Sequence, residues 1–169
     1  MPRGWNVVCE DESIVVYDSI VKKVWAIKGS NPIVLVTGKH KKTCLFGAVS
    51  LDKRQIFRQS KKINQDSFLN FLKEIKKKFK KFVLYMDKAP WHNNKKIEKY
   101  LKKQKRCIRV IWFPKYSPEL NPVEECWRQS KDSVVGSKFY YKFESMKKEF
   151  SSYLRTKKFR LNIVNYLCP

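Results

Sequence analysis

The chain has 169 residues, 43% of them hydrophobic, and carries 38 Lys and Arg against 15 Asp and Glu, a formal net charge of +23. That length suits one domain with a core of its own. No window approaches the run of about 18 apolar residues that a membrane span requires, and acidic residues by position 10 exclude a signal peptide. The charge calls for a polyanionic partner, most simply nucleic acid. The plainer account is that surface lysine serves solubility or thermal adaptation. Five cysteines, an odd number with no C-x-x-C pair, argue against a zinc site or a disulfide framework and fit a reducing cytoplasm.

Residues 5–9, WNVVC, read as a first strand that ends in Glu10-Asp11-Glu12. Residues 14–17 extend it or form a short turn. Residues 24–27 are a brief apolar piece, and residues 33–36 are β-prone. Residues 43–51 form a strong strand, with a turn at Asp52-Lys53 and a hairpin partner at 55–59. The apolar spacing of Phe68, Phe71, Leu72, Ile75 and Phe79 predicts an amphipathic helix over 66–81. Residues 82–86, FVLYM, are a buried strand ending at Asp87. Asn93 or Asn94 caps a helix that carries Ile97, Tyr100 and Leu101. Residues 108–113 are the next strand, followed by the rigid loop PKYSPEL. Asn121-Pro122-Val123-Glu124 then opens a helix, with Asn at the N-cap, Pro at the first position and Glu at the third. Further helices occupy about 137–169. A hairpin region followed by alternating strands and helices predicts an α/β fold, a mixed sheet with helices on both faces.

Three acids take equivalent places. Asp11 follows the first strand, Asp87 follows the strand after the first long helix, and Glu124 opens the helix after the next strand. If those strands are neighbours, the carboxylates converge at the strand ends, where α/β sites assemble. Oxygen ligands of this kind suit Mg²⁺ or Mn²⁺, and two such ions can drive phosphodiester chemistry. Each acid also has an ordinary reading. Glu124 completes a capping box, Asp87 caps the following turn, and Asp11 competes with Glu10 and Glu12, which alternation places on the opposite face. Glu125 competes with Glu124 but points about 100° away around the helix.

YMDKAPWH followed by WFPKYSPELNPVEECW resembles the D-N-A-x-x-H and P-x-Y-S-P-x-L-N-P-I-E-x-x-W signature of DDE transposases, and among these the insertion-sequence-630 family of the mariner-type superfamily. CEDES resembles the family's first-Asp motif. Residues 24–50 resemble its W-x-x-K-G and G-A-x-S segment. The resemblance covers roughly residues 5–132. It implies an RNase H-like fold and a catalytic, metal-binding triad of Asp11, Asp87 and Glu124. It further implies metal-dependent strand cleavage at transposon ends and transfer of the freed 3′-hydroxyl into target DNA.

The partner is then double-stranded DNA in the cytoplasm or nucleoid, with a homodimer and a separate N-terminal DNA-binding subunit as further expectations. Only ten residues precede Asp11, so the chain reads as one catalytic domain over 1–169 with the helix-turn-helix module absent. The alternatives are a catalytically inactive DNA-binding relic and another RNase H-like nuclease. Lys88 stands where the family usually has Asn, and either competes with metal or contacts DNA phosphate. His92 matches the family's His, and orients a ligand, touches phosphate or simply serves the helix start. Lys115 and Tyr116 are expected near DNA, and Lys131 either contacts phosphate or lies on a solvated face. Trp127, one turn after Glu124, packs under the site.

Overall fold

The computed structural model describes residues 4–18, 25–31, 33, 35–136 and 138–168. In chain order the elements are β1 (Asn6–Val16), β2 (Lys42–Ser50), β3 (Gln55–Ser60), α1 (Gln65–Phe79), β4 (Phe82–Met86), α2 (Lys95–Lys103) and β5 (Ile108–Trp112). A 3₁₀ turn (Pro118–Leu120) then leads to α3 (Pro122–Val134), α4 (Phe143–Thr156) and the short α5 (Val164–Leu167). The strands form one sheet in the order β3-β2-β1-β4-β5. β1 pairs antiparallel with β2, and β2 with β3, whereas β1–β4 and β4–β5 are parallel.

Helices cover both faces, as the sequence predicts. On one side Val8, Phe46, Ala48 and Leu84 meet Phe68, Phe71, Leu72 and Ile75 of α1 and Ile97 of α2. On the other, Cys9, Val15, Leu45 and Phe57 meet Val123, Cys126 and Trp127 of α3 and Met146, Phe150 and Leu154 of α4. Strand alternation sends odd-numbered β1 residues to the second face and even-numbered ones to the first. Each large side chain buried here contributes about 1.5–3 kcal/mol.

Three expectations change. β1 does not end before the acidic cluster but runs through it to Val16, because Val15 and Tyr17 are buried on the α3 side and hold the strand against β2. Asp11 is therefore mid-strand. α1 stops at Phe79 rather than 81, with Lys80 turned to a positive φ of 62°. The β-prone Ile33, Leu35 and Val36 lie outside any strand and are exposed, as are Trp25 and Ile27. Val24 and Val34, within the same predicted pieces, lie outside the described residues.

Candidate active site

β1 and β4 run side by side from Asn6↔Phe82 to Cys9↔Tyr85. Asp11 and Asp87 each lie two residues beyond the last pair, at the same level of neighbouring strands. α3 completes the site. Its N-cap Asn121 does two things at once. Its side-chain oxygen accepts from the Val123 N–H at 3.2 Å, and its side-chain amide donates to the Glu10 carbonyl at 3.1 Å. The buried Asn121 thus caps the helix and ties its start to β1 beside Asp11. The backbone N–H of Asn121 donates to the Pro118 carbonyl at 3.0 Å, so the third-position Glu124 is not needed for a capping box. Its carboxylate is exposed on the first turn. Glu125, the rival acid, is held by Arg128 at 2.6 and 2.7 Å and by Gln129 at 2.8 Å. The Arg128 guanidinium holds its carboxyl down at about 2.

Asp11 points to the α3 face, where Trp127 Nε1 donates to its Oδ2 at 2.8 Å. The fold makes room for that indole with Gly47, which pairs with Asp11 across β1–β2. A Cβ at position 47 would stand 2.7 Å from the Trp127 ring and 2.8 Å from Phe57. Burial, followed by the negative charges of Glu124, Glu12 and Asp87, pushes the Asp11 carboxyl up to about 8, against the pull of the Trp127 hydrogen bond. No lysine or arginine forms an ion pair with Asp11 or Glu124 among the described residues. Carboxylate charge at Asp11 and Glu124, with no lysine or arginine paired to either among the described residues, is offered by hard oxygen donors and fits a divalent ion such as Mg²⁺ or Mn²⁺.

The other face of β1 holds a second cluster. Glu12 Oε1 accepts from Trp91 Nε1 at 2.9 Å and lies 3.0 Å from His92 Nε2. His92 Nδ1 lies 3.0 Å from the Asp87 carbonyl and 2.9 Å from Asp87 Oδ1. Both imidazole nitrogens therefore face oxygen acceptors, which requires the doubly protonated ring. Hydrogen bonds to Asp87 and Glu12, with the charge of Glu10, outweigh the opposing effect of burial and raise His92 to about 11. The His92 hydrogen bond in turn holds Asp87 below the usual carboxylate range. Glu10, wholly buried beneath, is pushed up by burial and by Glu12. Glu10, Glu12 and His92 also form a group whose ligand atoms lie within 4.8 Å of one another.

His92 is 1% exposed, with its two ring nitrogens engaged by Asp87 and Glu12. Lys88 and Lys115 are exposed, and Tyr116 is 97% exposed at a positive φ of 58°. Lys131 is half-buried and lies seven residues after Glu124, on the same stripe of α3. His40 is exposed on the loop before β2. Sequence reasoning missed the partnership of Glu12 with His92 and the tether from Asn121 to β1. Alternation marked Glu12 as facing away from Asp11, but nothing in the sequence linked it to a residue 80 positions on.

A family model described as DDE superfamily endonuclease matches residues 6–147. The chain belongs to the DDE superfamily endonucleases. Among curated relatives, an insertion element IS630 39 kDa protein of Shigella sonnei is 26% identical over 133 residues, covering 76% of this chain and 38% of that protein. Among solved structures, a Mos1 transposase paired-end complex with the left transposon end superposes with a TM-score of 0.67 at 19% identity, covering 95% of this chain and 50% of that one. The catalytic domain of Mos1 mariner transposase gives 0.60 at 17% identity, covering 98% and 75%. Mos1 paired-end complexes with Mn and with Mg give 0.65 and 0.64.

These likenesses establish an RNase H-like fold for this DDE endonuclease domain. The chain spans 38% of the insertion-element relative and half of the Mos1 chain. No helix among the described residues is long and apolar enough to cross a membrane.

Proposed function

We propose that this domain is the catalytic part of a transposase, which cuts DNA strands at the ends of a mobile element and joins the freed 3′-hydroxyls to target DNA. Asp11, Asp87 and Glu124 are the residues that hold the metal, two ions of Mg²⁺ or Mn²⁺. What supports this reading is that Asp11 and Asp87 lie level on neighbouring strands, that Asn121 ties the start of α3 to β1 beside Asp11, and that burial with the charges of Glu124, Glu12 and Asp87 raises Asp11 to about 8. Divalent ions at such a set supply activation of the attacking oxygen and neutralisation of the leaving one. The chain's own residues do the rest. Trp127 fixes Asp11, the Ala89 N–H fixes Asp87 Oδ1 at 3.0 Å, and the Arg128–Glu125 pair leaves Glu124 as the available acid of its turn.

Exposed Lys88, Lys115 and Tyr116, with Lys131 along α3, are assigned to the phosphate backbone. Such contacts orient DNA without reading its sequence, so binding is salt-sensitive and weakly specific. Recognition of particular ends is assigned to a separate segment or subunit, and pairing of ends to a homodimer.

The test is nicking and strand transfer on supercoiled plasmid with Mn²⁺ or Mg²⁺, beside Glu124→Gln. Metal-dependent nicking lost in that variant supports the reading. Nicking that survives Glu124→Gln or Asp87→Asn removes it.

A further inference from the structure

Parallel strands hold their ends in step through the hydrogen-bond ladder between them. Between β1 and β4 that ladder stops at Cys9↔Tyr85, short of both Asp11 and Asp87. On its other side β4 is held further along, where Met86 pairs with Trp112 and the Phe113 N–H reaches the Met86 carbonyl at 2.9 Å. The ladder between these two strands therefore does not reach the level of Asp11 and Asp87, yet a metal-binding pair needs that spacing fixed to a fraction of an ångström.

The side chains of Glu12 and His92 close this gap. Glu12 is anchored in β1, adjacent to Asp11 but on the other face, and its side chain is 5% exposed. His92 spans from Glu12 Oε1 at 3.0 Å to both the carbonyl and Oδ1 of Asp87. The His92 N–H donates to the Ala89 carbonyl at 2.9 Å, closing the turn that carries the ring. The ring is packed against Phe68 of α1, centroid to centroid 4.2 Å. Trp91 Nε1 holds the Glu12 end.

We propose that Glu12 and His92 are positioning residues. Together they form a side-chain strut from β1 to Asp87 that replaces the missing ladder and sets the second metal-binding carboxylate against Asp11. The proposal rests on the site reading given above. The strut leaves Oδ1 of Asp87 engaged by His92 and by the Ala89 N–H, and so fixes the rotation of the carboxylate. Groups that orient a metal-binding carboxylate in this way typically carry 10–100-fold in metal affinity. The same cluster, with the wholly buried Glu10, also brings three ligand atoms within 4.8 Å of one another, and the experiment separates a cation held there from the strut.

Calorimetric titration of the full chain with Mn²⁺, at fixed pH and with the melting curve of each variant recorded, is the test. Glu12→Leu removes the acceptor. His92→Gln keeps an amide near Nε2 but has nothing at Nδ1. Each is expected to weaken Mn²⁺ binding about ten-fold or more, and the double variant no more than the stronger single, because the two act as one unit. Trp91→Phe, which keeps the packing, is the milder variant should Glu12→Leu not fold, and is expected to weaken binding a few-fold.

Folded Glu12 and His92 variants with unchanged Mn²⁺ affinity overturn the proposal, provided Asp11→Asn, Asp87→Asn and Glu124→Gln all weaken it; the site reading then stands alone. If those three leave Mn²⁺ binding unchanged, the site reading falls and the strut with it. A Mn²⁺ ion that survives Asp87→Asn and Glu124→Gln but is lost in Glu10→Gln places a cation in the cluster and overturns the strut.

Discussion

Asp11 and Glu12 stand next to each other on β1, and alternation sends them to opposite faces of one sheet. Each accepts an indole N–H, from Trp127 at 2.8 Å and from Trp91 at 2.9 Å. Beyond the indoles their surroundings diverge. Glu12 meets an imidazole carried by the chain itself, whereas Asp11 meets the charges of Glu124 and Asp87. A chain with 38 Lys and Arg has cations to spare, yet none of them forms an ion pair with Asp11 among the described residues. On this comparison a metal site is not simply where acids gather. It is where the fold gathers acids and leaves Asp11 to the charges of its neighbours, while the one imidazole cation beside them is shared between Glu12 and Asp87.

Breaking the Asp11 side has the largest expected effect. Asp11→Asn should reduce metal-dependent nicking on the order of 10³-fold or more, because metal-held charge stabilisation is worth several kcal/mol. The same variant, metal-free at pH 8.5, should melt at or above the wild-type temperature, since an isosteric neutral group relieves repulsion from Glu124, Glu12 and Asp87. A lower melting temperature would mark Asp11 as a structural residue and not a ligand.

The pH dependence follows with its sign. Burial raises Asp11 in the folded chain to about 8 from its ordinary 3.8. Between those values the folded chain holds a proton that the unfolded chain has released. Stability of the metal-free protein therefore falls as pH rises across that window, by about 1.4 kcal/mol per pH unit per proton. Glu10 acts in the same direction. His92, folded at about 11 against 6.5, continues the fall above neutrality. Urea midpoints from pH 4 to 9 measure this slope. Asp11→Asn, or saturating Mn²⁺ at pH 8, should flatten it on the Asp11 side alone, and an unchanged slope would sink the assignment.

Gly47 offers a way to disturb Asp11 without touching an acid. Gly47→Ala places a methyl 2.7 Å from the Trp127 ring, and Trp127 is 1% exposed with no room to retreat. Overpacking of this kind costs about 1–3 kcal/mol, read as a lowered urea midpoint at unchanged slope. Because the displaced indole is the donor to Asp11, nicking should fall in step, whereas the Glu12 side should be untouched.

Much of this was legible in the chain. Periodicity located the strands and helices, because β-branched runs and the Phe68–Phe79 spacing are local signals. Glu124 could be named from the loop PKYSPEL and the N-P-x-E that follows it, and Asp87 and Asp11 from YMDKAPWH and CEDES by their resemblance to the family's motifs. What was not legible depends on contacts between distant segments. The first strand reads as ending in the acidic cluster, with residues 14–17 either extending it or turning, and the fold takes the extension. In the fold, alternation buries Glu10 on one face and aims Asp11 at Trp127 on the other. His92 is open in the sequence between ligand-orienting, phosphate and helix-start roles, and its burial against Phe68 and its link to Glu12 depend on segments far away in the chain. The apolar residues at 33–36 read as β-prone, yet the described ones lie outside any strand and are exposed.

The smallest effect, and the one that isolates a single link, concerns Asn121. Its oxygen caps α3 and its amide donates to the Glu10 carbonyl. Asn121→Ser keeps an N-cap acceptor of similar quality but cannot donate across to β1, so it removes the tether and spares the cap. A buried carbonyl then loses its partner, at a cost of about 1 kcal/mol. Asn121→Ala removes both and should cost about 1 kcal/mol more. If the tether sets where Glu124 stands relative to Asp11, Asn121→Ser should also raise the Mn²⁺ needed for half-maximal nicking, a few-fold, while Asn121→Ala adds stability loss with little further change in that requirement. Equal stability of the two variants would show that the cap contributes nothing. An unchanged Mn²⁺ requirement in both would show that α3 is placed by Trp127 and its neighbours in the core rather than by its first residue.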